Sequence, residues 1–353
     1  MKNFRNILVT GGAGFIGGCF IRNILRNTNS NVLNIDKYGY ASDLSSIEAI
    51  KESKSRHRFI KQDLIEKESI SYLINQFKPN LIIHFAAESH VDRSIDNPTN
   101  FINSNIIGTF NLLESTREYW EKLNIEEKKF FRFHHVSTDE VFGTLEENKF
   151  FDESSRYSPR SPYSASKAAS DHLVQSWYHT YGLPIVLTNC SNNYGPYQFP
   201  EKLIPLTISK AINNKQIPIY GDGSNQRDWL YVDDHIDAIL KTLSDAEVGE
   251  TYCIGGNAVR TNLQVVKGIC KLLNNLLPKD YDYEELITFV KDRPGHDKRY
   301  AINSKKLRIS LDWEPTYSFE SGLEKTVNWY INNSEWSRSL LQKSGYGGDR
   351  LGI

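Results

Sequence analysis

Residues 6–17 read Asn6-Ile7-Leu8-Val9-Thr10-Gly11-Gly12-Ala13-Gly14-Phe15-Ile16-Gly17, and their reading decides the fold. The apolar run 7–9 is the pattern of a buried strand, and Ile21, Ile24 and Leu25 continue it as a helix. A second strand over 31–35 ends at Asp36, completing a βαβ unit. Gly11 permits the tight turn, Gly14 lets the backbone approach a pyrophosphate, and Gly17 lets helix pack on strand. The helix start, with Phe15 and Ile16, offers free N–H groups to phosphates. Glycine spacing alone says little; the strand before, the helix after and an acid about 20 residues on make a dinucleotide site. Asp36 is placed to accept hydrogen bonds from the adenosine ribose. Its carboxylate repels a 2′-phosphate, so NAD is expected rather than NADP.

Composition narrows the classes. A chain of 353 residues accommodates about two domains at roughly 100–200 residues each. With 42 basic against 43 acidic residues and no long basic run, nothing points to nucleic acid. Cys19, Cys190, Cys253 and Cys270 show neither CxxC spacing nor histidine companions, so no metal site and no disulfide framework is expected. Isolated thiols fit a reducing cytoplasm. The start passes almost at once into Ile7-Leu8-Val9, too short for a signal peptide. No run approaches ~18 apolar residues, so no membrane span is expected.

Further strands are expected over 58–62, 81–85, 131–136, 184–188 and 251–254, with helices over 105–123 and 164–181. The fold class is α/β: a Rossmann-type doubly wound parallel sheet with a smaller α/β C-terminal substrate domain. The expected division is 1–190 for the NAD-binding domain, with returning segments near 229–260. Residues 191–228 and 261–335 would bind substrate, and 336–353 would be an aperiodic tail. Asp233-Asp234 is expected to cap the helix that follows it.

The chemistry concentrates at Ser137-Thr138-Asp139-Glu140 and Tyr163-Ser164-Ala165-Ser166-Lys167. Tyr163 and Lys167 are four apart and share a helix face. An ammonium beside a phenol favours the phenolate, which would make Tyr163 a base near neutral pH. Asp139 and Glu140 follow an apolar strand, and ligands in open α/β sheets sit beyond the carboxyl ends of strands. Two bases and an acid are more than an alcohol oxidation requires.

The 11/14/17 glycine spacing with Tyr163-x-x-x-Lys167 resembles the extended short-chain dehydrogenase/reductase superfamily. Ala86-Ala87-Glu88-Ser89-His90-Val91-Asp92-Arg93-Ser94, Ser137-Thr138-Asp139-Glu140-Val141-Phe142-Gly143, Asn189-Cys190-Ser191-Asn192-Asn193-Tyr194-Gly195-Pro196, Arg227-Asp228-Trp229 and Asp292-Arg293-Pro294-Gly295-His296 narrow the resemblance to the dTDP-glucose 4,6-dehydratases. The family usually has tyrosine at Phe142 and Leu-Thr-Tyr-Ala-Gly-Asn where Tyr38-Gly39-Tyr40-Ala41-Ser42-Asp43 stands here. The resemblance implies oxidation at carbon 4, loss of water across carbons 5 and 6, and hydride return to carbon 6, on NAD that stays bound and is recycled in each turnover. Thr138, Asp139, Glu140, Tyr163 and Lys167 would be catalytic. Lys37, Asp63, Leu64, Ala86, Ala87, Glu88, Ser104 and Asn193 would join the glycine turn and Asp36 around the cofactor. Ser89, Asn192, Lys202, Leu203, Pro218, Ile219, Tyr220, Arg227, Asn262, Asp292, Arg293 and His296 would join Thr138 in holding the nucleotide sugar, dTDP-glucose. The apolar positions of the 105–123 helix exceed one buried face, and the superfamily's dimers imply a partner helix from a second copy.

Rival readings share the fold. A nucleotide-sugar 4-epimerase needs no acid–base couple at 139 and 140. A UDP-glucuronate decarboxylase usually has serine in place of Asp139. A GDP-mannose dehydratase is expected to use NADP. A non-catalytic NAD-responsive module usually loses the Tyr/Lys pair, which is intact here.

Overall fold

Ile7, Leu8, Val9 and Thr10 are all fully buried, as a strand covered on both faces must be. Ile7 and Val9 pack with Phe20, Ile24 and Ile239 in one helix layer. Leu8, on the opposite pleat, packs with Ile70, Leu112 and Val174 in the other. The computed structural model describes residues 4–346. Its strands are β1 (Asn6–Thr10), β2 (Asn31–Asp36), β3 (His57–Lys61), β4 (Leu81–His84), β5 (Arg132–Thr138), β6 (Ile185–Cys190), β7 (Asn192–Tyr194), β8 (Ile217–Tyr220), β9 (Gln226–Tyr231), β10 (Thr251–Ile254), β11 (Val259–Thr261) and β12 (Ile287–Val290).

Seven strands form one parallel sheet in the order β10-β6-β5-β4-β1-β2-β3. The winding reverses between β1 and β4, which opens a crevice at their carboxyl ends. The turn after β1 and the chain after β4 meet there. A Cβ on Gly11, whose φ is +74°, would lie 2.5 Å from the Ala86 nitrogen, so only glycine fits.

The second unit carries two small sheets, β11-β9-β7 and β12-β8. They surround a separate core that includes Ile204, Ile208, Ile217, Val265, Ile269 and Leu323. The chain rejoins the large sheet through the helix Val232–Asp245, which packs beside Phe20 and Ile24, and then β10. β9, which overlaps the start of the expected returning segment near 229–260, lies in the small sheet. The helix Lys305–Leu311 also packs on the large sheet, through Leu307 and Leu311 against Tyr252 and Ile254.

Several elements differ from expectation. The helix expected over 105–123 begins earlier, as a π-helical turn over Ile102–Ile107, and continues as an α-helix over Gly108–Glu121. π-turns gather at functional sites, and this one turns Asn105 inward. Asp233 and Asp234 lie in the first turn of their helix, but Asp234 does not cap it. Its carboxylate accepts from the Thr316 (2.8 Å) and Tyr317 (3.1 Å) N–H groups, tying down a remote loop. The stretch after Trp336, read as aperiodic, is helical across Ser334–Ser344; residues 347–353 lie outside the described residues. No described helix is long and apolar enough to cross a membrane.

Candidate active site

The glycine turn delivers the chain into the helix Phe15–Asn27, whose N-cap is Gly14 and has no side-chain cap. The first N–H groups therefore point into the crevice for an anion. A Cβ on Gly17 would lie 2.4 Å from the Gly11 carbonyl oxygen, so the third glycine seats helix on turn. Asp36 is fixed by three donors: the Tyr38 N–H (2.7 Å), the Ala13 N–H (3.1 Å) and the Ser42 hydroxyl (3.3 Å). Burial nevertheless raises its pKa. Lys37 pairs with Glu88 and donates to the Ser104 hydroxyl at 2.9 Å. The nearest cation is thus already engaged, which leaves a 2′-phosphate without a counter-charge. These features fit NAD.

One cavity of about 330 Å³ is lined by every residue expected to hold the cofactor and by the whole catalytic group: Thr138, Asp139, Glu140, Tyr163 and Lys167. Asp63 and Leu64 after β3, Ala86, Ala87 and Glu88 after β4, and Asn193 all line it. The Asn193 amide is committed to the fold: its oxygen meets His235 Nδ1 at 2.8 Å and its nitrogen donates to the Ser191 carbonyl at 2.9 Å. Of the residues expected at the sugar nucleotide, Ser89, Asn192 and Lys202 also line this cavity. Leu203, Pro218, Ile219, Tyr220, Arg227, Asn262, Asp292, Arg293 and His296 lie outside that lining. Ile219 points the other way, 1% exposed within the second core; the alternation of β8 leaves Pro218 and Tyr220 on the opposite, half-buried face.

The two adjacent carboxyls occupy different surroundings. Asp139 is 1% exposed. Burial, then the neighbouring Glu140 and Asp228 charges, push its pKa well above the ordinary value, against Arg227. Burial raises Glu140 as well, but Arg293, Lys202 and Arg227 oppose the rise. Burial thus favours the protonated form of Asp139 more strongly, while cations around Glu140 favour its ionised form. The Thr138 hydroxyl lies 3.4 Å from the Asp139 carboxyl and also hydrogen-bonds the Tyr163 phenol.

At Tyr163, burial opposes the expected lowering by Lys167. Burial and the Glu140 charge hold its phenol well above the ordinary value. Lys167 donates instead to the Val136 carbonyl at 3.0 Å, and burial lowers its own pKa. The pair shares a helix face on Pro162–Tyr181, which starts two residues early because Ser161 and Ser164 form a capping box around Pro162.

A family model described as GDP-mannose 4,6 dehydratase matches residues 8–326. A dTDP-glucose 4,6-dehydratase from Neisseria meningitidis serogroup B is 52% identical over 353 residues, covering 99% of this chain and 99% of its own. This chain belongs to the dTDP-glucose 4,6-dehydratase family. Among solved dTDP-glucose 4,6-dehydratases, that of Bacillus anthracis in complex with NAD is 42% identical, with a TM-score of 0.84 over 95% of this chain and 99% of that one. That of Streptomyces venezuelae with NAD bound is 38% identical, with a TM-score of 0.86 over the same shares.

Beneath this dehydratase-family site lies a buried network that sequence reasoning missed. The Asp171 carboxylate accepts from Ser137 Oγ (2.7 Å), Tyr157 Oη (2.9 Å), His135 Nε2 (3.0 Å) and Asn189 Nδ2 (3.2 Å). Burial lowers His135 to about 4, so the imidazole is neutral, and Lys167 Nζ lies 3.4 Å from its Nε2. Asp171 follows Lys167 by four residues on the same helix, a spacing that carried the signal. Asn105 exchanges hydrogen bonds with the Glu88 backbone (2.8 and 3.0 Å) and donates to Ser166 Oγ at 2.8 Å. It thereby fixes the 86–90 loop against the helix of Tyr163; only the π-turn brings it there, and a regular helical reading hides it.

Proposed function

We propose that the protein converts dTDP-glucose to dTDP-4-keto-6-deoxyglucose and water, as a hydro-lyase that uses NAD and regenerates it in each turnover. The observation that carries this reading is the pair Asp139 and Glu140, one favoured in its protonated form and the other facing cations, in the same cavity as the glycine turn and the Tyr163/Lys167 pair. Bound NAD supplies a hydride acceptor at carbon 4 and later the donor to carbon 6. Tyr163 takes the carbon 4 hydroxyl proton, with Thr138 hydrogen-bonded to the same oxygen. The ketone so formed acidifies carbon 5, and Glu140 removes that proton. Asp139 gives its proton to the carbon 6 hydroxyl, which leaves as water. Glu140 returns a proton to carbon 5 when carbon 6 is reduced. The proton left on Tyr163 restores Asp139, and the Thr138 hydroxyl stands between them. Lys167 would hold the nicotinamide ribose, and its ammonium would favour the phenolate as it forms.

Arg227, buried with its guanidinium 4.3 Å from the centre of the Tyr300 ring, and Arg293, Lys202, His296 and Asn192 are assigned to the diphosphate end; an arginine fork suits phosphate oxygens. The 191–228 and 261–335 stretches, less the parts that rejoin the large sheet, form the substrate unit. Ile102, Ile107, Phe110 and Tyr181 are exposed on the helices beside the site; pairing with a second copy covers them, giving a homodimer. The four buried free cysteines accord with the cytoplasm. Incubation with a panel of nucleotide sugars, without added NAD, tests the assignment. dTDP-glucose should give the alkali-induced absorbance of a 4-keto-6-deoxy sugar. A carbon 4 epimer without keto sugar points to an epimerase, and inertness toward every sugar to a binding module.

A further inference from the structure

The loop between Asp36 and the short helix Ser45–Glu48 forms one wall of the dinucleotide cavity, and residues 198–202 form the facing wall. The loop's ends are tied down: Asp36 accepts from the Tyr38 N–H (2.7 Å) and the Ser42 hydroxyl (3.3 Å), and Asp43 donates its N–H to the Ala13 carbonyl (2.8 Å) and accepts from the Trp336 indole (3.1 Å). A Cβ on Gly39 would meet no atom within 4 Å, so this part of the loop stands clear of its surroundings. Contact across the cavity comes from Tyr40. Its hydroxyl donates to Glu201 Oε1 at 2.8 Å. The other carboxylate oxygen of Glu201 accepts from Arg93 Nε at 3.3 Å. The Arg93 guanidinium closes the triangle 3.7 Å from the centre of the Tyr40 ring. Glu201 is 7% exposed, so its charge is shielded from water and its two partners are worth more than surface contacts. The three residues come from three separate segments, 161 and 108 positions apart from Glu201. They meet only when the loop lies against the far wall.

We propose that Tyr40, Arg93 and Glu201 form a clasp that holds the 39–41 tip of this loop closed over the cofactor cavity and so sets how fast NAD leaves. The proposal rests on the cofactor reading above. It adds a cause for residence that the phosphate contacts of the glycine turn do not provide, because a dinucleotide held along its length escapes only when a wall of the cavity opens. The cation over the ring and the buried carboxylate make closing favourable without any contact to the ligand.

Tyr40→Phe keeps the ring under Arg93 and removes the hydrogen bond to Glu201; Glu201→Gln keeps the shape and removes the charge. Both purified proteins, checked for folding by circular dichroism, are assayed in two ways: NAD released by acid is quantified by chromatography, and bound NAD is exchanged against isotopically labelled NAD. Wild-type protein should carry NAD as purified. Tyr40→Phe should release it about ten-fold faster, the factor that follows from losing one hydrogen bond to a charged acceptor, and Glu201→Gln at least as fast. Exchange rates equal to wild-type in both folded variants overturn the clasp and leave the cofactor reading intact. Wild-type protein that neither carries nor exchanges NAD overturns both.

Discussion

Replacing Asp171 tests whether the catalytic lysine stands on a polar foundation or merely on packing. Four donors converge on this one carboxylate, all from buried or part-buried groups between 2.7 and 3.2 Å. Asp171→Ala strands all four. A buried donor left without an acceptor costs about 1–3 kcal/mol, so the loss is on the order of 4–12 kcal/mol. Domains of this kind hold only about 5–15 kcal/mol in total, so the alanine variant should be largely unfolded or expressed as aggregate. Asp171→Asn behaves differently because hydroxyls rotate. One amide oxygen keeps His135, and the Ser137 and Tyr157 hydroxyls turn to accept from the new amide nitrogen. Only one N–H of the Asn189 amide loses its acceptor, for about 1–3 kcal/mol, while the other keeps the Thr138 carbonyl at 3.1 Å. Urea unfolding followed by circular dichroism at neutral pH measures both. An alanine variant within about 1 kcal/mol of wild-type, or an asparagine variant as damaged as alanine, would refute the reasoning.

Asp139→Asn should raise thermal stability while abolishing loss of water. Its folded pKa lies above the unfolded value, so the stability tied to its proton is fully present below the unfolded pKa and is lost as pH rises from there through the folded pKa; asparagine removes that loss, and differential scanning fluorimetry at pH 5 and pH 8 should show the larger gain at the higher pH. Turnover should follow a bell in pH, rising as Glu140 ionises above the ordinary carboxylate range and falling as Asp139 loses its proton. Arg293→Gln, which removes a cation opposing the rise of Glu140, should move the acid limb to higher pH; an unmoved limb assigns it to another group. Arg227→Lys should raise KM for the nucleotide sugar about ten-fold or more with a smaller change in kcat, since a point charge replaces a fork; equal losses in both would place Arg227 at the chemistry instead.

What the sequence disclosed was what is local along the chain. The turn from Gly11 to Gly17, Asp36 at the end of β2 and the four-residue step from Tyr163 to Lys167 each encode geometry within one turn or one element, and the structure brings them into one cavity. Asp139 and Glu140 were legible as a pair, but their division of labour was not: it depends on Asp228, Arg227 and Arg293, which arrive from the second unit. The pKa of Tyr163 was not legible either, because it depends on burial and on the Glu140 charge. Spacing shows that a lysine shares its face, not that the ammonium is drawn to the Val136 carbonyl. Ile219 matched a binding segment by position, yet strand alternation turned its side chain into the core. The helix over 334–344 escaped because its apolar contacts, Trp336 among them, face aromatic rings from distant segments rather than a periodic stripe of its own.

That helix has a practical consequence. Trp336 donates its indole N–H to Asp43 at 3.1 Å, and its ring stands 5.1 Å from Trp329 and 5.6 Å from Tyr197. An indole anchored on the loop beside the adenosine end is an intrinsic optical probe. Any swing of that loop changes the polarity around Trp336, one of the six tryptophans, so a shift in the colour of the protein's own fluorescence that is lost on Trp336→Phe reports the opening of the cavity without a dye or an added label.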